Sequence, residues 1–114
     1  MVEYKELNSV FRSLADPTRR NILKRVSART FSIQEIADVY QRQMSLAAIS
    51  KHVQVLEKAK LIKKKRHGKQ YFIEASPPQF HVVVQYLRQC EAIWNKRLDK
   101  FAAHLEKTRK IKNK

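Results

Sequence analysis

At 114 residues and 43% hydrophobic content, the chain is long enough for one packed domain and too apolar for a disordered one. Lys and Arg total 25 against 10 Asp and Glu, a formal charge of +15, and self-repulsion on that scale points to a polyanionic partner. A single cysteine, Cys90, excludes an intramolecular disulfide framework, and no apolar run reaches the roughly 18–20 residues that a bilayer span needs.

Leu7, Val10, Phe11 and Leu14 recur at steps of three and four, which predicts a first helix over 2–14. Asp16-Pro17 starts a second, because Asp caps free N–H groups and Pro has none to lose in the first turn. That helix runs to about Ser27 with Ile22, Leu23 and Val26 inward. Ser32 and Glu35 form a capping box, with Phe31 and Ile36 at staple positions, so a third helix buries Ile33, Ile36, Ala37 and Tyr40. The polar connector Gln41-Arg42-Gln43 leads to Met44-Ser45, where Ser45 caps a fourth helix. It reaches about Ala59 with Ile49, Val53 and Leu56 inward.

The period then changes. Leu61 to Arg66 and Gln70 to Ala75 read as two strands joined at His67-Gly68-Lys69, with the only glycine where a hairpin needs positive φ. Tyr71, Ile73 and Ala75 share the inner face of the second strand. Ser76-Pro77-Pro78-Gln79 opens a last helix. Phe80, Val84, Leu87, Trp94, Leu98, Phe101 and Leu105 follow steps of four and three along it, interrupted at Glu91. A stripe of that length exceeds what a small helical core uses and reads as a two-helix packing seam. The predicted fold class is mainly α with a small β-hairpin, α1-α2-α3-α4-β-β-α5, a winged helix-turn-helix with its long C-terminal helix in a dimer interface. The predicted domain spans 1–106, and 107–114 is a basic, frayed tail.

Charge is concentrated in two places. Lys58 to Lys69 holds seven basic residues and no acid, and Lys107 to Lys114 holds five and no acid. A membrane surface also attracts such charge. The opening Met1-Val2-Glu3-Tyr4 lacks the basic and apolar regions of a signal peptide, and with one thiol the expected compartment is the cytoplasm.

Three motifs, in order, carry a family resemblance. Phe11-Arg12-Ser13-Leu14-Ala15-Asp16-Pro17-Thr18-Arg19-Arg20 resembles the opening of the ArsR family of bacterial repressors. Ile49-Ser50-Lys51-His52-Val53-Gln54-Val55-Leu56 resembles its recognition helix, and Gly68-Lys69-Gln70-Tyr71-Phe72 its wing. The likeness spans roughly residues 7 to 105. It implies a homodimer built from the first and last helices, an operator with two-fold symmetry and repression of transcription. The interface candidates are then Leu7, Val10, Phe11, Val84, Leu87, Trp94, Leu98 and Phe101.

The chain departs from the metal-sensing members of that family. No cysteine lies between Ile33 and Tyr40, where their cysteine pair stands. His81 and His104 are more than 30 Å apart along one helix at ~1.5 Å per residue, so one chain cannot bring both to one metal. The resemblance is therefore to a non-metal, autorepressor-like member, with no cofactor and no metal expected. Leu46-Ala47 also stand where family members often carry a Gln-Pro pair.

The DNA-facing candidates follow. Ser45, Leu46, Ala47, Ser50 and Lys51 fall away from the Ile49/Val53/Leu56 stripe, so they face bases or phosphates, or form an ordinary solvated helix face. His52 either donates to a phosphate or packs beside Val53. Lys63, Lys64, Lys65, Arg66 and Lys69 make the wing the densest cationic element, four consecutive cations with no acid opposite. Lysine also protects exposed strand edges. Arg19 and Arg20 oppose the dipole of their own helix, which calls for a phosphate or for Asp16 as partner. Cys90 reads as an inert thiol near the seam, with redox sensing as the sharper alternative.

An enzyme is disfavoured: there is no Gly-rich phosphate loop and no His/Asp arrangement around the lone cysteine. The expected function is sequence-specific binding of double-stranded DNA by a homodimeric transcriptional regulator. The alternatives are a non-specific nucleoid or RNA-associated basic protein, and a protein-interaction adaptor on the same fold.

Overall fold

The computed structural model describes residues 2–112, with side chains from Lys5 to Ile111. The element order is α1 (Val2–Ser13), α2 (Pro17–Ala28), β1 (Phe31–Ser32), α3 (Ile33–Val39), α4 (Leu46–Lys58), β2 (Ile62–His67), β3 (Gln70–Ala75) and α5 (Pro77–Lys112). It is the mainly helical winged helix-turn-helix expected from the sequence. The chain divides into two compact units between Val83 and Val84.

In the first unit, helix starts lie where side chains can replace missing backbone partners. Asp16 accepts from the Arg19 N–H at 3.0 Å, and Pro17 occupies the first helical position. Ser32 and Glu35 complete a reciprocal capping box, each side chain accepting the other's backbone N–H at 3.0 Å. Ser45 accepts from the Ala48 N–H at 3.1 Å. The end of α4 is a Schellman turn built without glycine. The Leu61 N–H bonds the Leu56 carbonyl at 3.1 Å and the Lys60 N–H bonds Glu57 at 2.9 Å, while Lys60 takes a left-handed φ of 62°.

The core gathers Val10, Ile22, Val26, Ile36, Ile49, Val53, Leu56, Leu61, Ile62 and Ile73, with Phe31, Ile33, Phe80 and Val83 packed at its edge. Val10 is 0% exposed, which corrects its place among the interface candidates, because its side chain has no surface left for a second chain. Leu7 is also nearly covered.

The hairpin register pairs Lys64 with Ile73, Arg66 with Tyr71 and His67 with Gln70. Gly68 opens the two-residue loop at φ 63°, the position where a type II′ turn demands glycine. Sequence reasoning missed a third strand. Phe31 and Ser32 pair antiparallel with Ile73 and Phe72, giving the order β1-β3-β2. Two residues carry no period, so only the partner strand defines them. Tyr71 lies on the same face of β3 as the buried Ile73 but beyond the edge of the core, and it is exposed.

The second unit is the continuation of α5. Nothing between 84 and 112 breaks a helix, since the stretch has neither Gly nor Pro. The segment from Lys107 that the sequence read as frayed is helical through Lys112, while Asn113 and Lys114 lie outside the described residues, as does Met1 at the opening stretch. Leu87, Ile93, Trp94, Leu98, Phe101 and Leu105 are all exposed, Trp94 at 61%. Among the described residues no helix is long and apolar enough to cross a membrane.

Candidate nucleic-acid interface

Helices α3 and α4 are joined by a tight turn in which the Gln43 and Met44 N–H groups converge on the Tyr40 carbonyl, at 2.8 and 2.9 Å. With Ile49, Val53 and Leu56 committed to the core, α4 turns Ser45, Leu46, Ala47, Ser50 and Lys51 to solvent. Ser45 uses a lone pair for its cap and keeps its hydroxyl proton for another acceptor. Gln54 was missed. It is exposed one turn after Ser50 and Lys51, on their side of the helix. Its amide can meet adenine through two hydrogen bonds, and the i, i+3, i+4 spacing was the available signal.

His52 is not part of that open face. Its side chain is 22% exposed, with Nδ1 at 3.3 Å from Arg19 Nη1 and 3.9 Å from Asp16 Oδ2. Arg19 is itself anchored: Nε donates to the Ser13 carbonyl at 2.6 Å and Nη2 to the Arg12 carbonyl at 3.2 Å. Arg20 donates to the Leu14 carbonyl at 2.7 Å. Both arginines therefore serve the carbonyl-rich C-terminal end of α1, which resolves their apparent conflict with the dipole of α2. The backbone N–H of Arg19, with the charge of its guanidinium adding to it, holds the Asp16 carboxyl below its ordinary range.

The wing presents two charged faces. On one, the Lys64 ammonium lies 4.4 Å from the centre of the Tyr71 ring, and Arg66 stands over the same ring at 5.9 Å. Arg66 Nε also donates to the Gly68 carbonyl at 3.0 Å, tying the side chain to the hairpin loop. On the other face Lys65 pairs with Glu74 at 2.8 Å. The hydrogen bond from Lys65, its charge and that of Lys63 lower the Glu74 carboxyl from its ordinary value. The basic run thus has an acid opposite after all. The expectation of none fails because Glu74 lies on the other strand of the hairpin and is brought beside the basic run by strand register. Lys64, Arg66 and Lys69 are exposed and make no ion pair among the described residues, whereas Lys63, also exposed, stands opposite Glu74 in the strand register.

Among the described residues no cluster of three or more His, Cys, Asp or Glu could hold a metal ion. A recess of about 410 Å³ lies on the Lys65–Glu74 face of the wing and is lined by Thr30, Lys65, His67, Phe72 and Glu74.

The arrangement matches known proteins. Residues 14–65 fit a helix-turn-helix domain family. The transcriptional repressor SdpR of Bacillus subtilis (strain 168) is 34% identical over 62 residues, 54% of this chain and 67% of SdpR. The crystal structure of the ArsR family transcriptional regulator RHA00566 superposes with a TM-score of 0.73 at 30% identity, covering 80% of this chain and 92% of that one. The chain belongs to the ArsR family. Its fold is shared by the homodimeric winged helix-turn-helix DNA-binding domain Mb0332 of Mycobacterium bovis, with a TM-score of 0.61 at 18% identity over 79% of this chain and 83% of that one. As an ArsR-family protein it is a DNA-binding transcriptional regulator.

Proposed function

We propose that this ArsR-family regulator represses transcription as a cytoplasmic homodimer bound to a two-fold-symmetric operator, and that metal plays no part in its release. The observation that carries the reading is the open face of α4, Ser45-Leu46-Ala47, Ser50, Lys51 and Gln54, in a unit whose wing cations are largely unpaired. A helix of that width fits the major groove, where serine, lysine and glutamine read acceptors and the apolar pair touches thymine methyls. Lys63, Lys64, Arg66 and Lys69 supply sequence-independent phosphate contacts, with Lys65 shared between phosphate and Glu74.

The exposed stripe of α5 supports the second copy. Val84, Leu87, Trp94, Leu98 and Phe101 are apolar at seam spacing and are exposed, as is Phe11 on α1. An apolar row of that length is the signature of an interface. Leu7, nearly covered, lends the edge of its side chain at most.

Selection of bound genomic fragments followed by footprinting tests the reading. The expected result is two protected half-sites about one helical turn apart, ~34–36 Å, with sedimentation giving twice the chain mass. Equal affinity for unrelated duplexes, or a preference for RNA, would replace it with the non-specific basic protein that the net charge of +15 favours.

A further inference from the structure

The contact between α2 and the half-buried flank of α4 carries a consequence for the chemistry of the DNA-binding surface. Arg19 Nη1 lies 3.3 Å from His52 Nδ1. A guanidinium has only donors, so at this distance Nδ1 must accept, and the proton of the neutral imidazole then resides on Nε2. The carboxylate of Asp16 is the competitor. It would draw the proton onto Nδ1, but its Oδ2 stands at 3.9 Å, outside hydrogen-bond range. Arg19 has little freedom to yield, because its Nε and Nη2 are bound to the Ser13 and Arg12 carbonyls. The two ring nitrogens lie on different edges of the imidazole. With Nδ1 turned to Arg19, Nε2 occupies the edge away from it. Among the described residues Nε2 has no hydrogen-bond partner, and it is not one of the buried unpaired nitrogens.

We propose that Arg19 is a positioning residue that locks His52 in its Nε2–H form, turning the flank of α4 into a neutral hydrogen-bond donor for a DNA phosphate oxygen. The inference rests on the DNA-binding reading above and deepens it. The position of His52 favours phosphate over base. It sits beside the buried stripe and away from Ala47, Lys51 and Gln54, and a helix lying in a groove turns its flanks to the backbone. The protein thereby obtains a phosphate contact that needs no further positive charge. Loss of Arg19 hands Nδ1–H to Asp16 and converts Nε2 from donor to acceptor, which a phosphate oxygen repels.

The first measurement needs no DNA. In protein labelled with ¹⁵N-histidine at a pH where the ring is neutral, long-range proton–nitrogen spectra are expected to show a pyridine-like Nδ1 and a protonated Nε2 for His52. A protonated Nδ1, or a doubly protonated ring, overturns the lock. The second uses a mixed-sequence duplex of about three helical turns. H52Q keeps an N–H donor near the place of Nε2 and is expected within about twofold of the natural chain, whereas H52N cannot reach and binds ~3- to 10-fold more weakly. Arg19→Met is expected to weaken binding to the same degree and to move the proton to Nδ1, a change that simple loosening of α2 would not produce. Binding by H52N equal to the natural chain overturns the donor role while leaving the DNA-binding reading intact. A natural chain with no affinity for any duplex overturns both.

Discussion

The two units treat the same kind of side chain in opposite ways. In the first, the apolar stripes of α2, α3 and α4 are spent: Ile22, Ile36, Ile49 and Leu56 are fully covered. In the second, an equally regular stripe on α5 is open, from Leu87 through Trp94 and Leu98 to Leu105. Amphipathic spacing states that a face will be covered and is silent on which chain covers it. The contrast separates an intramolecular core from an exposed apolar row that the proposed second copy would cover.

The largest expected effect breaks the comparison at its buried side. Leu56→Ala removes a fully covered side chain and is expected to cost about 2–5 kcal/mol of unfolding free energy in denaturant titrations, independent of protein concentration. Trp94→Ala is expected to act in the other way. It weakens self-association by about 30-fold or more, read by sedimentation, and it lowers thermal stability only through the concentration dependence of the melting curve. If Trp94→Ala behaved like Leu56→Ala at every concentration, the seam would be a core by another name.

A smaller effect sharpens the view of the wing. Replacing Lys64 and Arg66 by Ala is expected to lower affinity alike for all duplexes and to reduce the log–log salt slope by about 0.9 per lost phosphate contact. Glu74→Gln does the reverse, since it frees Lys65 from its 2.8 Å partner, and a gain of a few fold at low salt is expected. No change in Glu74→Gln would mean that Lys65 never reaches DNA.

The smallest effects concern the helix ends. Glu35 has its carboxyl held below its ordinary value, first by the Ser32 backbone N–H and then by Arg29. Its folded-state pKa is depressed, so its stabilisation is present above the unfolded value and is lost as pH falls through the folded one. Glu35→Gln is therefore expected to lower stability at neutral pH, to leave it nearly unchanged in acid where Glu35 is protonated, and so to flatten the acid limb of the stability–pH curve in denaturant titrations. Lys60→Gly is expected to stabilise by about 0.5–1 kcal/mol, because the left-handed φ of 62° costs a lysine more than the extra chain entropy costs a glycine.

Much of this was legible before any coordinates. Asp16-Pro17, Ser32 with Glu35, and Ser45 announce helix starts because capping is local chemistry, settled within four residues. Gly68 marks the hairpin, since no other residue adopts that φ so cheaply. The ArsR-type motifs identified the family, and the open face of α4 followed from which positions the core claims. What the sequence by itself determined was therefore periodic or local: the helices, the hairpin and the face that each would bury.

Only the tertiary structure decided the rest. Glu74 neutralises part of the wing through strand register, Arg19 and Arg20 close the end of α1, and Val10 disappears into the core while Trp94 does not. β1 exists because β3 is there to bond it. The physical reason is common to all of them. Each depends on which atoms the fold brings together from different elements, beyond the reach of a capping motif or a helical period, and a hydrogen bond or ion pair reaches only a few ångströms.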